Sequence, residues 1–443
     1  MTAPTPPFRP RVLIIAEAAN PEWVSVPLVG WSLARALSDV ADVHIVTQIR
    51  NREAFLRAGL TEGQDFTAID SEALARPLWA IGKVLRMGEG KGWTALQLIN
   101  ALSYPYFERL IWRKFRTPLR QGQFDIVHRI TPLSPTISSP LAAKCARIGV
   151  PFVLGPLNGG VPWPRAFAAE RRREREWLSY LRAAYKLLPG RRRTLRAAAA
   201  VIVGSRHTQS ELPAKHQAKA VYIPENAIDP ARFSHVAPPA TTPLRACFIG
   251  RMVPYKGPDM LLEAALPLLQ AGRLHLDLIG DGPLLPGLRT FADTHGITDA
   301  VTFHGWLAHD QVPKVAAQSQ VLAFPSVREF GGGVVLEAMA LGLVPLIVDY
   351  AGPGELVIPG TGVKVPLGTR AQIISGFQKR LTQMADDPGA LPPMADAART
   401  RIADLFTWQQ KAHQVLAVYR WVLGQSPDKP AFFDPPNTPQ DSS

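Results

Sequence analysis

REFGGGVVLEAMALG, residues 328–342, is the stretch on which the reading of this chain turns. Three consecutive glycines follow an acid, Glu329, and the apolar helical run behind them carries a second acid, Glu337, eight positions later. Glycine loses more conformational freedom on folding than any other residue. A carboxylate beside an apolar helix must find a partner or stay wet. A loop that keeps both features is expected to meet a ligand. Bare N–H groups at a helix N-terminus attract anions, and glycine lets an anion approach closely.

Upstream of this stretch, strand and helix patterns alternate from Leu244 onward. RACFIGRMVPYKG reads as strand and loop, PDMLLEAALPLLQAG as helix, LHLDLIGDGP as strand and PLLPGLRTFADTHG as helix. VTFHGWL, VLAFPS and LVPLIVDY supply further strands, with DQVPKVAAQS as a helix among them. An equivalent alternation opens the chain. RVLIIA reads as a strand, AEAANPEWVSVPLVG as a loop, GWSLARALSDV as an amphipathic helix and ADVHIVTQ as a second strand. FDIVHRI, PFVLGPLNGG and AAVIVGS continue it. Strands apolar throughout, alternating with helices, imply parallel sheets covered on both faces.

The expected architecture is therefore α/β, with two Rossmann-like, doubly wound domains facing across a cleft. The first is expected over 8–225 and the second over 243–405, joined by the proline-rich segment around 224–243. The 443-residue length agrees with two domains of about 200 residues each. FTWQQKAHQVLAVYRWVL (406–423) has no strand after it and is expected to pack back on the first domain. Residues 1–7 and 426–443, within proline-rich ends, read as disordered tails.

Composition narrows the class. Hydrophobic content of 47% fits a globular protein, and no window approaches the ~18 apolar residues of a membrane span. No signal peptide is legible, and Cys145 and Cys247 read as buried thiols in a reducing cytosol. The formal charge of +13 is uneven: residues 165–196 hold eleven Lys/Arg against three Glu. These arginines alternate with Trp177, Tyr180, Leu187 and Leu188, which suits either an anionic membrane surface or a solvated charged helix. No helix-turn-helix, RRM or zinc spacing accompanies them, so nucleic acid is not an expected partner.

Three loops of the second half follow successive strands: Gly250-Arg251 with Lys256-Gly257, then Asp281-Gly282, then Glu329 to Gly333. An Arg, a Lys and a glycine-rich helix start on one sheet edge read as a diphosphate site. Together GRMVPYKG, IGDGP, VTFHGW and PSVREFGGGVVLEAMALGLVPLIVD, ending in AGPGELV, resemble the C-terminal domain of retaining GT-B glycosyltransferases. The likeness, over roughly 244–360, is to glycosyltransferase family 4, whose E-x7-E pair matches Glu329 and Glu337.

The resemblance implies catalytic roles for Arg251, Lys256 and Glu329, with Glu329 orienting the donor sugar. It implies donor contacts at Gly250, Asp281, Gly331, Gly332, Gly333 and Val334, with Glu337 on the nucleotide ribose. It implies no cofactor, and no D-x-D acid pair for a metal is present. On the acceptor side, Gly30, His128, Asn158 and Gly159 are the candidates, and His128 is equally readable as a satisfied core histidine. The GPLNGG segment departs from members that carry a histidine there. Asn226 and Asp229 match a family segment and read as structural.

The implied function is transfer of a hexose, with retention, from a UDP- or GDP-linked donor to a hydroxyl of a saccharide or lipid-linked acceptor. Cell-surface polysaccharide or glycolipid synthesis in the cytoplasm, peripheral on the inner face of the membrane, is the expected setting. The competing readings are a non-catalytic, nucleotide-sugar-binding subunit of a larger complex, and an epimerase or phosphorylase-like enzyme.

Overall fold

The computed structural model describes residues 8–73, 92–159, 161–168, 189–233, 235–238 and 242–433. The chain divides into two compact units. One runs to the end of the first sheet's segments at Glu225 and resumes at Trp408; the other holds Asn226–Thr407 and the short stretch that begins at Val161.

In the first unit, β1 (Arg11–Ala16), β2 (Asp42–Gln48), β3 (Phe66–Ile69), β4 (Ile126–Thr131), β5 (Phe152–Leu157), β6 (Ala200–Val203) and β7 (Ala220–Tyr222) form one parallel sheet. Its order is β3-β2-β1-β4-β5-β6-β7. Every residue of β4, β5 and β6 is buried, which is why these strands lack polar alternation. The connections reverse direction between β1 and β4, the position where doubly wound sheets open a ligand crevice.

The opening helix spans Val26–Val40, four residues earlier than the apolar periodicity alone suggests. Ser25 stands outside the helix as its cap, and Pro27 supplies a fixed φ suited to the first turn. Leu33, Ala34 and Leu37 of this helix share a core with Val415, Val418 and Tyr419 of the final helix, Trp408–Val422. The C-terminal helix thus returns to the first unit, as its missing partner strand implied. Residues 426–433 correct the expected tail: they continue onto the unit, because Phe433 has an apolar seat. Its ring centroid lies 5.3 Å from that of Tyr222, and its carbonyl accepts a 3.0 Å hydrogen bond from Arg206.

The second unit repeats the plan with β8 (Leu244–Ile249), β9 (Leu274–Ile279), β10 (Val301–Gly305), β11 (Val321–Phe324), β12 (Val344–Asp349) and β13 (Val363–Pro366). The order is β10-β9-β8-β11-β12-β13, all parallel, with its switch point between β8 and β11. Cys145 and Cys247 are buried, one in each unit, and burial pushes both thiols up to about 12. Most of the basic segment, 169–188 including Arg171–Arg173, lies outside the described residues. At its end, Arg191 is buried and donates to the Glu211 carbonyl, so that arginine is turned inward. Among the described residues, no helix is long and apolar enough to cross a membrane.

Tyr419 ties the returning helix to β4 by donating to His128 Nδ1 at 2.6 Å. Tyr419→Phe should therefore lower stability by about 1–3 kcal/mol, the cost of leaving a buried acceptor unmade. Denaturant unfolding checks this, and an unchanged midpoint would contradict the tie.

Candidate active site

The loops that leave β8 and β11 lie side by side at the second switch point. Val327 N–H donates to the Tyr255 carbonyl at 2.9 Å, which fastens one loop to the other. Pro254–Lys256 forms a short 3-10 turn, and Gly257 in the left-handed region (φ 74°) turns the chain into the helix Pro258–Gln270. A Cβ at Gly257 would lie 3.0 Å from the Pro325 carbonyl, so glycine is needed for this approach.

This arrangement delivers the Lys256 ammonium to the Glu329 carboxylate as an ion pair. Both side chains are largely covered, at 16% and 20% exposure. The ammonium also lies 5.1 Å from the centre of the Phe324 ring, at the end of β11. Arg251 is exposed, and its guanidinium has no hydrogen bond or ion pair among the described residues.

Beyond Glu329 the chain enters the helix Gly333–Ala340 through Gly332, which is left-handed (φ 60°) and gives no side-chain cap. A Cβ there would meet Leu356 Cδ1 at 2.9 Å, so the AGPGEL segment closes on this turn. The backbone N–H groups of Gly331, Gly332, Gly333 and Val334 have no acceptor among the described residues. They are the unfilled donors of a helix start. Glu337 lies one turn along from Gly333, on the same helical face. Its carboxylate is half-buried and has no hydrogen bond or ion pair among the described residues. Burial pushes it up to about 7, opposed by the charge of Arg232.

The third loop is packed backbone on backbone against the first. A Cβ at Gly280 (φ +135°) would lie 2.0 Å from the Gly250 carbonyl, and one at Gly282 (φ +156°) 2.7 Å from that of Met252. The Asp281 carboxylate is turned onto its own loop, accepting from Gly282 N–H at 2.6 Å, while its carbonyl accepts from Met252. The lone aspartate in IGDGP thus shapes the loop that supports Gly250.

Sequence reasoning missed Trp306 here and read Asn226 as structural. Asn226 places its amide 3.4 Å from where a Cβ on Gly333 would be, beside the free N–H groups. Trp306, after β10 on the same sheet edge, is 77% exposed. The VTFHGW motif contains Trp306, and Asn226 lies in the matching VYIPENAIDPARF segment, so a signal existed for both. Asp229 caps its own turn by accepting from Ala231 N–H.

The first-unit candidates are engaged internally. Gly30 lies in the opening helix, where a Cβ would sit 2.4 Å from the Ala18 carbonyl and 2.9 Å from Thr131 Cγ2. This corrects its assignment to a loop: it is the contact that lets the helix pass under the β1 loop. His128 is buried, with Nε2 donating to the Gly155 carbonyl at 2.7 Å and Nδ1 accepting from Tyr419. Burial lowers it to about 4, so it is a neutral core histidine.

Asn158 donates to both Glu225 oxygens at 2.5 Å and accepts from Gly159 N–H and Ser205 Oγ. Lys411, buried and lowered to about 7 by that burial, donates to the Pro224 carbonyl beside this cluster. At the β1 edge, unforeseen polar groups gather instead: Glu17 pairs with Arg50, and Gln48 donates to Glu72 at 2.5 Å. A cavity of about 500 Å³ lies elsewhere, near Ala340, Arg399 and Thr407, at the far end of the helix from its glycines.

Comparison with known proteins bears on the second unit's sequence and on the fold. Residues 231–387 match the family described as Glycosyl transferases group 1. Alpha-D-kanosaminyltransferase of Streptomyces kanamyceticus is 29% identical over 175 residues, covering 39% of this chain and 44% of that protein. Glycogen synthase of Mycobacterium tuberculosis (strain ATCC 25618 / H37Rv) is 32% identical over 205 residues, covering 45% and 48%. The crystal structure of Anabaena HepE in complex with UDP matches with a TM-score of 0.58 at 14% identity, covering 92% of this chain and 99% of that one. The chain has the GT-B fold of glycosyltransferases. The family match lies within the second unit. Matches span 39% to 62% of the length of the curated relatives.

Gly280→Ala should drive a methyl group into the Gly250 carbonyl and destabilise the chain by at least about 2 kcal/mol. Thermal denaturation checks it; a wild-type melting temperature would contradict the packed loops.

Proposed function

We propose that the chain is a retaining glycosyltransferase that moves a hexose from a nucleoside diphosphate sugar to a hydroxyl acceptor. The observation that carries this reading is the row of four unfilled N–H donors, Gly331 to Val334, beside the Lys256–Glu329 pair. A diphosphate is the ligand such donors suit, being anionic and rich in acceptor oxygens. The UDP complex of HepE, a protein of like fold, favours a uridine donor.

In this reading the diphosphate lies over Gly331–Val334, with Arg251 and Lys256 supplying positive charge. As the bond from the sugar to the leaving phosphate lengthens, charge grows on that phosphate, and fixed cations stabilise it most at that moment. Glu329 holds Lys256 in place and offers acceptor oxygens to sugar hydroxyls. Glu337 takes the ribose hydroxyls as a carboxylate. Trp306 is a candidate face for the base. The acceptor hydroxyl attacks from the side the leaving group departs, and the departing phosphate takes its proton. The acceptor is a saccharide or lipid-linked saccharide of cell-surface synthesis, bound by the first unit.

The test is calorimetric titration of the full chain with UDP, GDP and their hexose conjugates. Saturable binding of one nucleotide is expected; binding of none would overturn the reading. Glu337→Ala should weaken that nucleotide about tenfold or more. Because Glu337 sits at about 7 in the free protein, UDP must drive its ionisation below that pH. Affinity should therefore rise from pH 6 to 8, and Glu337→Gln should lose that part of the rise; an identical profile in the variant would remove the ribose role. Lys256→Ala should lower kcat about a hundredfold with a smaller change in donor KM. A loss confined to KM would contradict charge stabilisation of the leaving group.

A further inference from the structure

The short stretch Val161–Trp163 belongs to the second unit although it follows β5 of the first. Trp163 is 9% exposed and sits against both loops of the candidate site. Its ring meets Tyr255 edge to face, with centroids 6.0 Å apart and planes at 86°. The Arg328 guanidinium carbon lies 5.1 Å from the Trp163 centroid and 5.4 Å from that of Phe330. The Pro162 carbonyl accepts a 2.7 Å hydrogen bond from Tyr350 Oη, which fixes the stretch from a third side. Tyr255 immediately precedes Lys256, and Arg328 immediately precedes Glu329.

We propose that Trp163 is a positioning residue for the Lys256–Glu329 pair, acting through its ring contacts with Tyr255 and Arg328. This rests on the donor-site reading above. The physical reason is competition between two cations. A guanidinium one residue from Glu329 is a stronger, bidentate carboxylate partner than an ammonium. Held against the Trp163 and Phe330 rings, Arg328 keeps its favourable ring contacts and stays off Glu329. Lys256 then keeps the carboxylate, and both remain aimed at the place where leaving-group charge develops. Without the indole, Arg328 loses one of its ring contacts and can turn toward Glu329. Tyr255, whose carbonyl fastens the β8 loop to Val327, loses its edge contact as well.

The test compares wild type, Trp163→Ala, Trp163→Phe and Arg328→Gln, as full chains, for UDP binding and for transfer from the hexose conjugate that binds. Trp163→Ala should lower kcat about tenfold with the UDP Kd within about twofold of wild type, because the N–H groups of Gly331–Val334 and Glu337 are untouched. Trp163→Phe retains a ring face for Arg328 and should restore kcat to within about threefold. A Trp163→Ala chain with wild-type kcat overturns the proposal. So does a parallel fall of kcat, UDP affinity and melting temperature that phenylalanine does not restore. If Trp163→Ala does not fold, Trp163→Phe still decides, since a loss as large as tenfold there denies the ring its role. Arg328→Gln removes the competing cation and should leave the Lys256–Glu329 pair intact in the alanine background; no recovery of kcat there counts against the mechanism. A wild-type chain that binds no nucleotide defeats the donor-site reading itself, a result distinct from any of these.

Discussion

Four backbone N–H groups with no acceptor among the described residues set the terms for the second unit. A helix start always leaves such donors, and most chains fill them with a capping side chain. Here Gly332 occupies the cap position and offers none, and the preceding glycine adds its own N–H to the row. The surrounding residues keep that row in place. Leu356 and Pro353 press on Gly332, the Phe330 carbonyl lies where a Cβ on Gly352 would be, and the β8 loop is bonded to Val327. The cations then collect where an anion would lie: Lys256 is anchored by Glu329, and Arg251 stands in solvent at the end of β8. Glu337 is the unusual member, a carboxylate raised to about 7 by burial and left without a hydrogen-bond partner among the described residues. Such a group is worth keeping only if something polar comes to it.

The first unit spends its polar groups differently. His128, Asn158, Glu225 and Lys411 are all buried, and they bond to one another's neighbourhoods or to backbone carbonyls. Paired in this way, buried polar groups specify one packing arrangement rather than many. They hold β4, the β5 end, the exit at Glu225 and the returning helix in one network. Its other polar cluster, Glu17 with Arg50 and Gln48 with Glu72, gathers at the ends of β1 to β3.

The sequence was legible where chemistry is local. Two runs of buried strands declared two parallel sheets, and the glycines between Glu329 and Glu337 marked the helix start found at Gly333. It was not legible where the partner lies far along the chain. His128 is satisfied by Tyr419, 291 positions away, and Asn158 by Glu225, 67 away, so neither could be settled as a structural group from its neighbours. Nothing near Trp163 in sequence announces Tyr255 or Arg328, its neighbours in the fold. Gly30 was misjudged for a related reason: the β1 loop that presses on it is local, but Thr131 is not. The basic segment stays a sequence observation, apart from Arg191, whose inward turn depends on Glu211.

The most direct measurement of the central claim is amide hydrogen exchange across 328–340, with and without saturating UDP. The account predicts that Gly331, Gly332, Gly333 and Val334 gain protection together, because their N–H groups acquire a diphosphate acceptor. Saturated protein in which these four amides exchange as fast as in the free chain would contradict it.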